Sequence, residues 1–175
     1  MTVQERANRI RLLLFDVDGV LTDGVVTVHA DGSESKGFHI KDGAAIVWAQ
    51  RAGLMVGLLS ARASGATSHR AAQLAIRVVQ QGVPSKHHGF EQILRDTEID
   101  ESAVAYMGDD LLDLPVLRRA GLAAAPADAV AEVRSAVHWV SSAPGGRGAA
   151  REFIEMVLRA QGRWEAVLAE YGGTT

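Results

Sequence analysis

The sequence predicts a single α/β domain in which a parallel sheet is flanked by helices, and two observations lead to this prediction. First, short apolar runs recur at residues 12–15, 55–59 and 104–107. They show no alternation of apolar and polar residues, which is typical of strands covered on both faces. Second, each run is followed by a polar or glycine-rich turn and then by a helical stretch. This alternation favours parallel strands joined by right-handed crossovers.

The composition supports one compact domain over residues 1–175. The chain is 47% hydrophobic and 22% charged, which suits a buried core and argues against disorder. Its formal net charge of -3 offers no basic surface to nucleic acid or to an anionic membrane. There is no cysteine, no signal-peptide pattern over residues 1–10 and no apolar run long enough to span a bilayer. We therefore expect a cytoplasmic protein that binds neither nucleic acid nor membrane.

Helices are expected after the apolar runs. The predicted helices cover residues 42–53, 64–74, 87–98 and 112–120. Asp42 and Ser64 are the expected capping residues of the first two, because their side-chain oxygens can accept bonds from free backbone N–H groups.

Two further segments stand apart from this alternation. Residues 25–39 predict a β-hairpin whose turn is Asp31-Gly32. Residues 148–170 predict one C-terminal helix, because apolar residues recur there at helical spacing. The tail at residues 172–175 is expected to fray.

Polar side chains follow three of the predicted strands directly. Asp16 and Asp18 follow the first, Ser60 the second, and Asp109 and Asp110 the third. Ligands of an open parallel sheet bind beyond the carboxyl ends of its strands, so we expect these side chains to lie close together. Carboxylates at such distances repel one another unless a cation lies between them. Mg²⁺ suits this site, because it prefers hard oxygen ligands and retains a substrate phosphate among them.

Each of these signals has a purely structural explanation when it is taken alone. The D-x-D sequence could form a turn and a helix cap, and G-D-D could cap a helix with Asp113 in its first turn. An isolated Ser60 or Lys86 carries no functional information. The order of these residues and their positions at strand ends, taken together, indicate a catalytic site.

The ordered segments F-D-V-D-G-V-L-T-D, L-L-S-A-R, Lys86 and G-D-D-L-L-D-L resemble the four motifs of the haloacid dehalogenase superfamily. Within it, the segments F-H-I-K-D-G, Q-G-V-P-S-K and G-G-R-G-A-A-R-E make the chain similar to the 3-deoxy-D-manno-octulosonate 8-phosphate phosphatases. The resemblance extends from about Leu12 to Leu158. It implies a Rossmann-like parallel sheet and a phosphoric monoester hydrolase that acts on a sugar-acid phosphate with Mg²⁺.

The resemblance also implies roles for individual residues. Asp16 would attack phosphorus and form a phosphoaspartate intermediate. Asp18 would protonate the leaving oxygen and then deprotonate the attacking water. Ser60 would donate a hydrogen bond to a phosphoryl oxygen, and Lys86 would offset the negative charge on Asp16 and on the phosphoryl group.

The implied metal ligands are the carboxylate of Asp16, the backbone carbonyl of Asp18 and the carboxylate of Asp109. Asp110 or Asp113 would lie outside them and orient Lys86 or a metal-bound water.

The chain departs from the family at two positions of the second motif. Ser60-Ala61-Arg62 stands where the family usually has Thr-Gly-Arg. Serine keeps the hydroxyl group, whereas alanine would restrict the turn if this position needed a positive φ. Arg62 is the expected ligand of the substrate carboxylate, because its planar guanidinium group suits carboxylate or phosphate.

The spacing of the motifs leaves no room for a folded cap domain, so the predicted site is open to water. The family resemblance implies a homotetramer in which the hairpins pack centrally and a neighbouring subunit helps to close each site. The apolar hairpin residues Val25, Val26 and Val28 fit this arrangement. They fit equally well with packing inside one subunit.

Three other functions remain open from the sequence. A phosphatase for a nine-carbon sugar acid 9-phosphate would use identical chemistry. A catalytically inactive oligomerisation module would retain the fold alone, although the complete set of motif residues argues against it. A phospho-receiver domain also uses aspartate, Mg²⁺ and lysine, but in that family the acidic residues and the lysine follow a different order along the chain.

Overall fold

The computed structural model describes residues 1–173, and its centre is a six-stranded parallel sheet. In chain order the strands are β1 (Leu12–Phe15), β2 (Thr27–Val28), β3 (Glu34–Ser35), β4 (Met55–Ser60), β5 (Val78–Gln81), β6 (Val104–Met107), β7 (Leu122–Ala125) and β8 (Trp139–Val140). The order across the sheet is β5-β4-β1-β6-β7-β8, while β2 and β3 pair antiparallel with each other. This is the predicted α/β fold of Rossmann-like type.

The three strands predicted from apolar runs lie side by side in the middle of this sheet. β1 is buried along its whole length and pairs in parallel with β4 on one edge and β6 on the other. The chain adds β4 and β5 on one side of β1 before it returns to add β6, β7 and β8 on the other. Strand order therefore reverses around β1, where ligands of such sheets bind.

Helices cover both faces of the sheet. In chain order they are α1 (Val3–Ala7), α2 (Ile40–Arg51), α3 (Gly65–Gln73), α4 (Lys86–Thr97), α5 (Leu114–Leu117), α6 (Ala131–Ala136), α7 (Ala149–Ala160) and α8 (Trp164–Glu170). One apolar layer joins the sheet to α1, α2, α3, α7 and α8, and the other joins it to α4, α5 and α6. No helix in the described part of the chain is long and apolar enough to cross a membrane.

The segments between the motifs are short. Between β4 and Lys86 the chain forms only α3 and β5, and between β1 and β4 it forms only the hairpin and α2. Neither segment contains a folded cap, as the motif spacing predicts. The hairpin strands have two residues each and are thus much shorter than the predicted segment of residues 25–39.

The predicted helix boundaries were correct for two helices and wrong for others. Ser64 caps α3 as expected, and α4 lies within one residue of its predicted range. The helix expected over residues 112–120 is a 3₁₀ turn at Leu111–Asp113 followed by the single turn α5.

The predicted helix over residues 148–170 is wrong as a single helix, because it is divided into α7 and α8. Gly162 adopts a φ of +65°, a conformation that ends a helix at little cost only for glycine. The apolar spacing continues across this break, so the hydrophobic pattern alone does not reveal it. Of the tail predicted to fray, Thr174 and Thr175 lie outside the described residues, whereas the Gly173 backbone N–H donates to the Leu168 carbonyl over 2.9 Å.

Asp42 does not cap α2, because that helix begins at Ile40 and Asp42 lies within its first turn. Its buried carboxylate instead accepts hydrogen bonds from the backbone N–H groups of Arg151 (2.8 Å) and Gly148 (3.3 Å). Gly148 is the N-cap of α7 and has no side chain to perform this function. Asp42 thus caps a helix more than one hundred residues further along the chain.

We predict that Asp42→Ala lowers the free energy of unfolding by about 1–2 kcal/mol, because the first turn of α7 loses its capping acceptor. Asp42→Asn should lower the free energy of unfolding by less, since an amide oxygen can still accept a hydrogen bond from the backbone of α7. Urea denaturation measures the effect, and Asp96→Ala on the exposed side of α4 is the control, with an expected change below about 0.5 kcal/mol. Equal losses in the two alanine variants would contradict the capping role.

Candidate active site

A cleft of about 160 Å³ opens at the carboxyl ends of β1, β4 and β6. Its lining residues are Asp16, Asp18, Ser60, Ala61, Arg62, Lys86, Asp109, Asp110, Leu112 and Asp113. The structure thus brings together all the site residues predicted from the sequence. The parallel register explains this convergence, because it places Phe15 of β1 beside Leu58 of β4 and Met107 of β6, and the site residues follow shortly after these three.

The loop that carries the first two aspartates closes tightly against the loop of the third motif. The Asp16 backbone N–H donates to the Met107 carbonyl over 3.0 Å and so continues the pairing of β1 with β6. Gly19 has a φ of +91°, and a Cβ atom at this position would lie 2.1 Å from Asp109 Oδ2. Glycine is therefore required here both for the turn and for the close approach of Asp109.

Lys86 is the cation at the centre of the site. It is the first residue of α4, its side chain is 4% exposed, and its Nζ lies 2.7 Å from Asp16 Oδ1 and 2.5 Å from Asp113 Oδ1. Burial alone would lower the pKa of Lys86, but the neighbouring carboxylates outweigh it and raise that pKa above its usual value. The lysine therefore remains charged and fixed between the two aspartates.

Asp113 organises this site without free acceptor capacity of its own. Its Oδ1 accepts from Lys86 and from the Tyr106 hydroxyl, and its Oδ2 accepts from the backbone N–H groups of Asp109 (2.9 Å) and Asp110 (3.1 Å). These four bonds fix both the lysine and the loop that presents Asp109. Asp113 is thus suited to orienting Lys86. It is one of the two residues for which the sequence predicted such a role.

Tyr106 was missed from the sequence, where it reads as one apolar residue of a buried strand. Its hydroxyl is fully buried, and burial together with Asp113 raises the pKa of Tyr106 well above its usual value. A tyrosine in a buried strand requires a partner for its hydroxyl group, and this requirement is the signal that was available.

The carboxylates of Asp16 and Asp109 have the properties of cation ligands. Burial, followed by repulsion from Asp16 and Asp113, raises the pKa of Asp109 to about 8. Burial also raises the pKa of Asp16 to about 6, although Lys86 opposes this shift. Asp109 Oδ1 is buried without a hydrogen-bond partner in the described structure. Oxygen atoms of Asp16, Asp109 and Asp113 lie within 4.8 Å of one another. Because both Asp113 oxygens already accept hydrogen bonds, the carboxylate oxygens of Asp16 and Asp109 are the ones that fit a hard divalent cation such as Mg²⁺.

The second motif brings a hydroxyl and a guanidinium group to the opposite side of the cleft. Ser60 is buried, and its Oγ accepts from the backbone N–H of Arg62 over 3.3 Å. Ala61 does not adopt a positive φ, since Ala75 and Glu98 are the described non-glycine residues that do. Alanine is therefore accommodated at this turn without strain.

The hairpin contributes two charged residues that the sequence did not reveal as part of the site. Glu34 Oε2 accepts a hydrogen bond from Arg62 Nη2 over 2.7 Å. Lys36 Nζ lies 2.6 Å from Asp18 Oδ1. Both belong to a segment that reads as an ordinary polar hairpin, and only the folded arrangement shows that it reaches the cleft.

We predict that the metal-free protein loses stability as the pH rises between about 4 and about 8, because the pKa values of Asp16 and Asp109 are raised in the folded state. Over this window the folded protein holds more protons than the unfolded chain, so raising the pH favours unfolding. Thermal melts with a chelator measure the decline. Saturating Mg²⁺ should reduce it, because the cation replaces the protons as the partner of the carboxylates.

The matched control is Asp109→Asn, which removes the group with the larger shift. The difference in melting temperature between the native chain and this variant isolates the effect from the other titrating residues. With chelator present, the melting temperature of the native chain should fall relative to that of Asp109→Asn as the pH rises. A relative increase would contradict the raised pKa of Asp109.

Comparisons with known proteins agree with this site. Residues 57–152 match the model of a family described as haloacid dehalogenase-like hydrolase. The 3-deoxy-D-manno-octulosonate 8-phosphate phosphatase of Escherichia coli strain B is 38% identical over 161 residues, which cover 92% of this chain and 86% of that protein.

Two solved structures give the same result in three dimensions. A probable YrbI family phosphatase from Pseudomonas syringae has a TM-score of 0.95 at 41% identity and covers 99% of this chain and 98% of its own. The 3-deoxy-D-manno-octulosonate 8-phosphate phosphatase of Moraxella catarrhalis, in complex with magnesium, phosphate and the sugar acid, has a TM-score of 0.94 at 31% identity, with 97% of both chains covered. The chain therefore belongs to the haloacid dehalogenase-like hydrolases, in the family of the 3-deoxy-D-manno-octulosonate 8-phosphate phosphatases.

Proposed function

We propose that this protein is a Mg²⁺-dependent phosphatase that hydrolyses 3-deoxy-D-manno-octulosonate 8-phosphate through a phosphoaspartate intermediate on Asp16. The observation that carries the chemistry is the buried carboxylate of Asp16, held by Lys86 beside Asp109 at the base of an open cleft. The substrate follows from the relatives, which bear this activity in their names and match nearly the whole chain.

In the first step, a carboxylate oxygen of Asp16 forms a bond to phosphorus and the bond from phosphorus to the sugar oxygen breaks. The electron pair of that bond stays on the sugar oxygen, which takes a proton from Asp18. In the second step, Asp18 removes a proton from water and the water oxygen forms a bond to phosphorus. The bond from phosphorus to the Asp16 oxygen breaks, which releases inorganic phosphate and restores the Asp16 carboxylate. The same carboxyl group thus acts first as acid and then as base.

The other residues stabilise the charge that develops during these steps. Lys86 faces the negative charge of Asp16 and of the transferred phosphoryl group, and the Ser60 hydroxyl donates to a phosphoryl oxygen. The carboxylates of Asp16 and Asp109 and the backbone carbonyl of Asp18 would hold Mg²⁺. When bound, the metal supplies positive charge next to the phosphoryl oxygens.

Arg62 is the proposed partner of the substrate carboxylate. Its side chain is half exposed at the mouth of the cleft, and its guanidinium group already binds one carboxylate, that of Glu34. A sugar acid would compete with Glu34 for this planar donor pair.

The experiment that tests this function measures phosphate release with Mg²⁺ and then with a chelator. The panel contains 3-deoxy-D-manno-octulosonate 8-phosphate, a nine-carbon sugar acid 9-phosphate and simple hexose phosphates. We expect metal-dependent release with the highest kcat/KM for the eight-carbon acid. Preference for the nine-carbon acid would replace the substrate and keep the mechanism, whereas no release from any ester would favour the inactive module. Family membership already decides against the phospho-receiver domain.

Replacing the two aspartates of the first motif tests the mechanism. Asp16→Asn should abolish turnover because the amide cannot attack phosphorus, and Asp18→Asn should lower kcat by roughly 10²- to 10⁴-fold because it cannot transfer the proton. Asp96→Asn on the exposed side of α4 is the control and should leave kcat unchanged. Near-normal activity in either first-motif variant would refute the assigned role.

We also propose a homotetramer that packs the hairpins centrally and acts in the cytoplasm in the synthesis of lipopolysaccharide sugar. Val28 on the hairpin is 72% exposed and Ile40, at the start of α2, is 82% exposed. Val25 is exposed too, so these side chains are not packed inside their own subunit. Several exposed apolar side chains along one short segment of the chain are typical of surfaces that bind another protein chain.

Sedimentation velocity tests this assembly. The native protein should sediment as a tetramer of the 18.6 kDa chain. Val28→Lys should shift it to smaller species, because a charge would be buried at the centre of the assembly. Val140→Lys is the control, since it alters an exposed apolar residue on β8 and should leave the tetramer intact. A native protein that is monomeric at all concentrations would contradict the proposal.

A further inference from the structure

The lysine that follows β3 has an unusual environment for a hairpin residue. The side chain of Lys36 is 0% exposed, although both neighbours, Ser35 and Gly37, are exposed. Its Nζ lies 2.6 Å from Oδ1 of Asp18 and donates a hydrogen bond to Oδ2 over 2.9 Å. The ammonium group thus spans both oxygens of one carboxylate.

Asp18 is the partner that compensates the burial of the Lys36 ammonium group. A buried ammonium group is costly unless it is paired and hydrogen-bonded. Within residues 1–173, the Lys36 side chain makes no ion pair or hydrogen bond other than that with Asp18. Its position therefore depends on Asp18, and the direction of the Asp18 carboxylate depends on it.

Asp18 differs from Asp16 in the freedom that its position allows. The Asp16 carboxylate is buried and held by Lys86, whereas the Asp18 side chain is 21% exposed and lines the open cleft. A carboxylate that must deliver a proton to one oxygen and later remove one from water has to keep a single direction throughout. Without Lys36, the Asp18 side chain would be free to rotate toward solvent.

We propose that Lys36 is a positioning residue for Asp18: its ammonium group holds the Asp18 carboxylate in the direction that proton transfer requires. This role rests on the proposed phosphatase function. Lys36 acts through Asp18 and lies outside the residues that line the cleft, whereas Lys86 acts on Asp16 and the phosphoryl group directly. The two lysines therefore serve different halves of the first motif.

A second contact joins β3, the strand directly before Lys36, to the loop of the second motif. Glu34, two residues before Lys36, is bonded to Arg62, whose Nε lies 4.0 Å from Asp18 Oδ2. Lys36 is thus presented by a segment that is anchored on two motif loops at once. This double anchoring explains how a short hairpin gives a long lysine side chain one fixed direction.

The test combines Lys36→Met, Lys36→Arg and Asp18→Asn in a double-mutant cycle. In the native background, Lys36→Met should lower kcat by about 10- to 100-fold with KM changed by less than about threefold, because binding is retained and proton transfer is misdirected. Lys36→Arg keeps a cation near Asp18 and should recover part of this loss. Lys41→Met, a solvent-exposed lysine on α2, is the control and should leave kcat unchanged.

The Asp18→Asn background separates positioning from a general structural effect. If Lys36 acts through Asp18, adding Lys36→Met to the Asp18→Asn variant should lower kcat by less than about twofold. A loss that is carried over in full into the Asp18→Asn background would overturn the proposal. So would a Lys36→Met variant whose kcat stays within about twofold of the native value.

The readouts keep this inference distinct from the proposed function. p-Nitrophenyl phosphate serves as a second substrate, so rejection of every sugar-acid phosphate would overturn only the substrate, and the cycle would still be measured. If the protein hydrolyses no ester at all, the phosphatase function fails. The native protein, Lys36→Met, Asp18→Asn and the double variant are then compared by melting temperature. Additive shifts would overturn the pairing of Lys36 with Asp18, and non-additive shifts would retain it.

Discussion

The site depends on a balance between three crowded carboxylates and one buried ammonium group. Asp16, Asp109 and Asp113 bring oxygen atoms within 4.8 Å of one another, and Lys86 contacts two of the three. A single positive charge cannot neutralise three crowded negative charges, so protons or a cation must complete the balance. Burial, together with the repulsion that this deficit leaves, raises the pKa of Asp109. The same deficit favours a divalent cation at this position.

The charged groups of the site are carried by different elements of the fold. β1 brings Asp16, β6 brings the loop of Asp109, and the first turn of α4 brings Lys86. Asp113 joins the last two, because it accepts from Lys86 and from the backbone that carries Asp109. A displacement of any one element would therefore change the electrostatics of all the others.

Much of the fold and of the site could be predicted from the sequence because their signals are local. Unbroken apolar runs predicted β1, β4 and β6 within one residue, and polar residues at the strand ends predicted which side chains gather. The contacts of Asp42, Lys36 and Tyr106 could not be predicted in this way. Each joins residues that are brought together only by packing, and the residue types involved are common on surfaces and in cores. The break at Gly162 had a local signal, but a continuing apolar pattern obscured it.

The G-G-R-G segment gives the site a dependence on the late part of the chain. A Cβ atom at Gly145 would lie 1.8 Å from the Gly19 carbonyl oxygen, and the Gly146 backbone N–H donates to the Val20 carbonyl over 2.8 Å. This segment therefore packs against the loop of the first motif. It leads into α7, whose Phe153 packs edge-on against Phe15 of β1. During synthesis from the N-terminus, Asp16 emerges early, whereas the segment that supports its loop emerges near the end. A nascent chain thus carries Asp16, the proposed nucleophile, long before it can hold that residue in the geometry of the folded site.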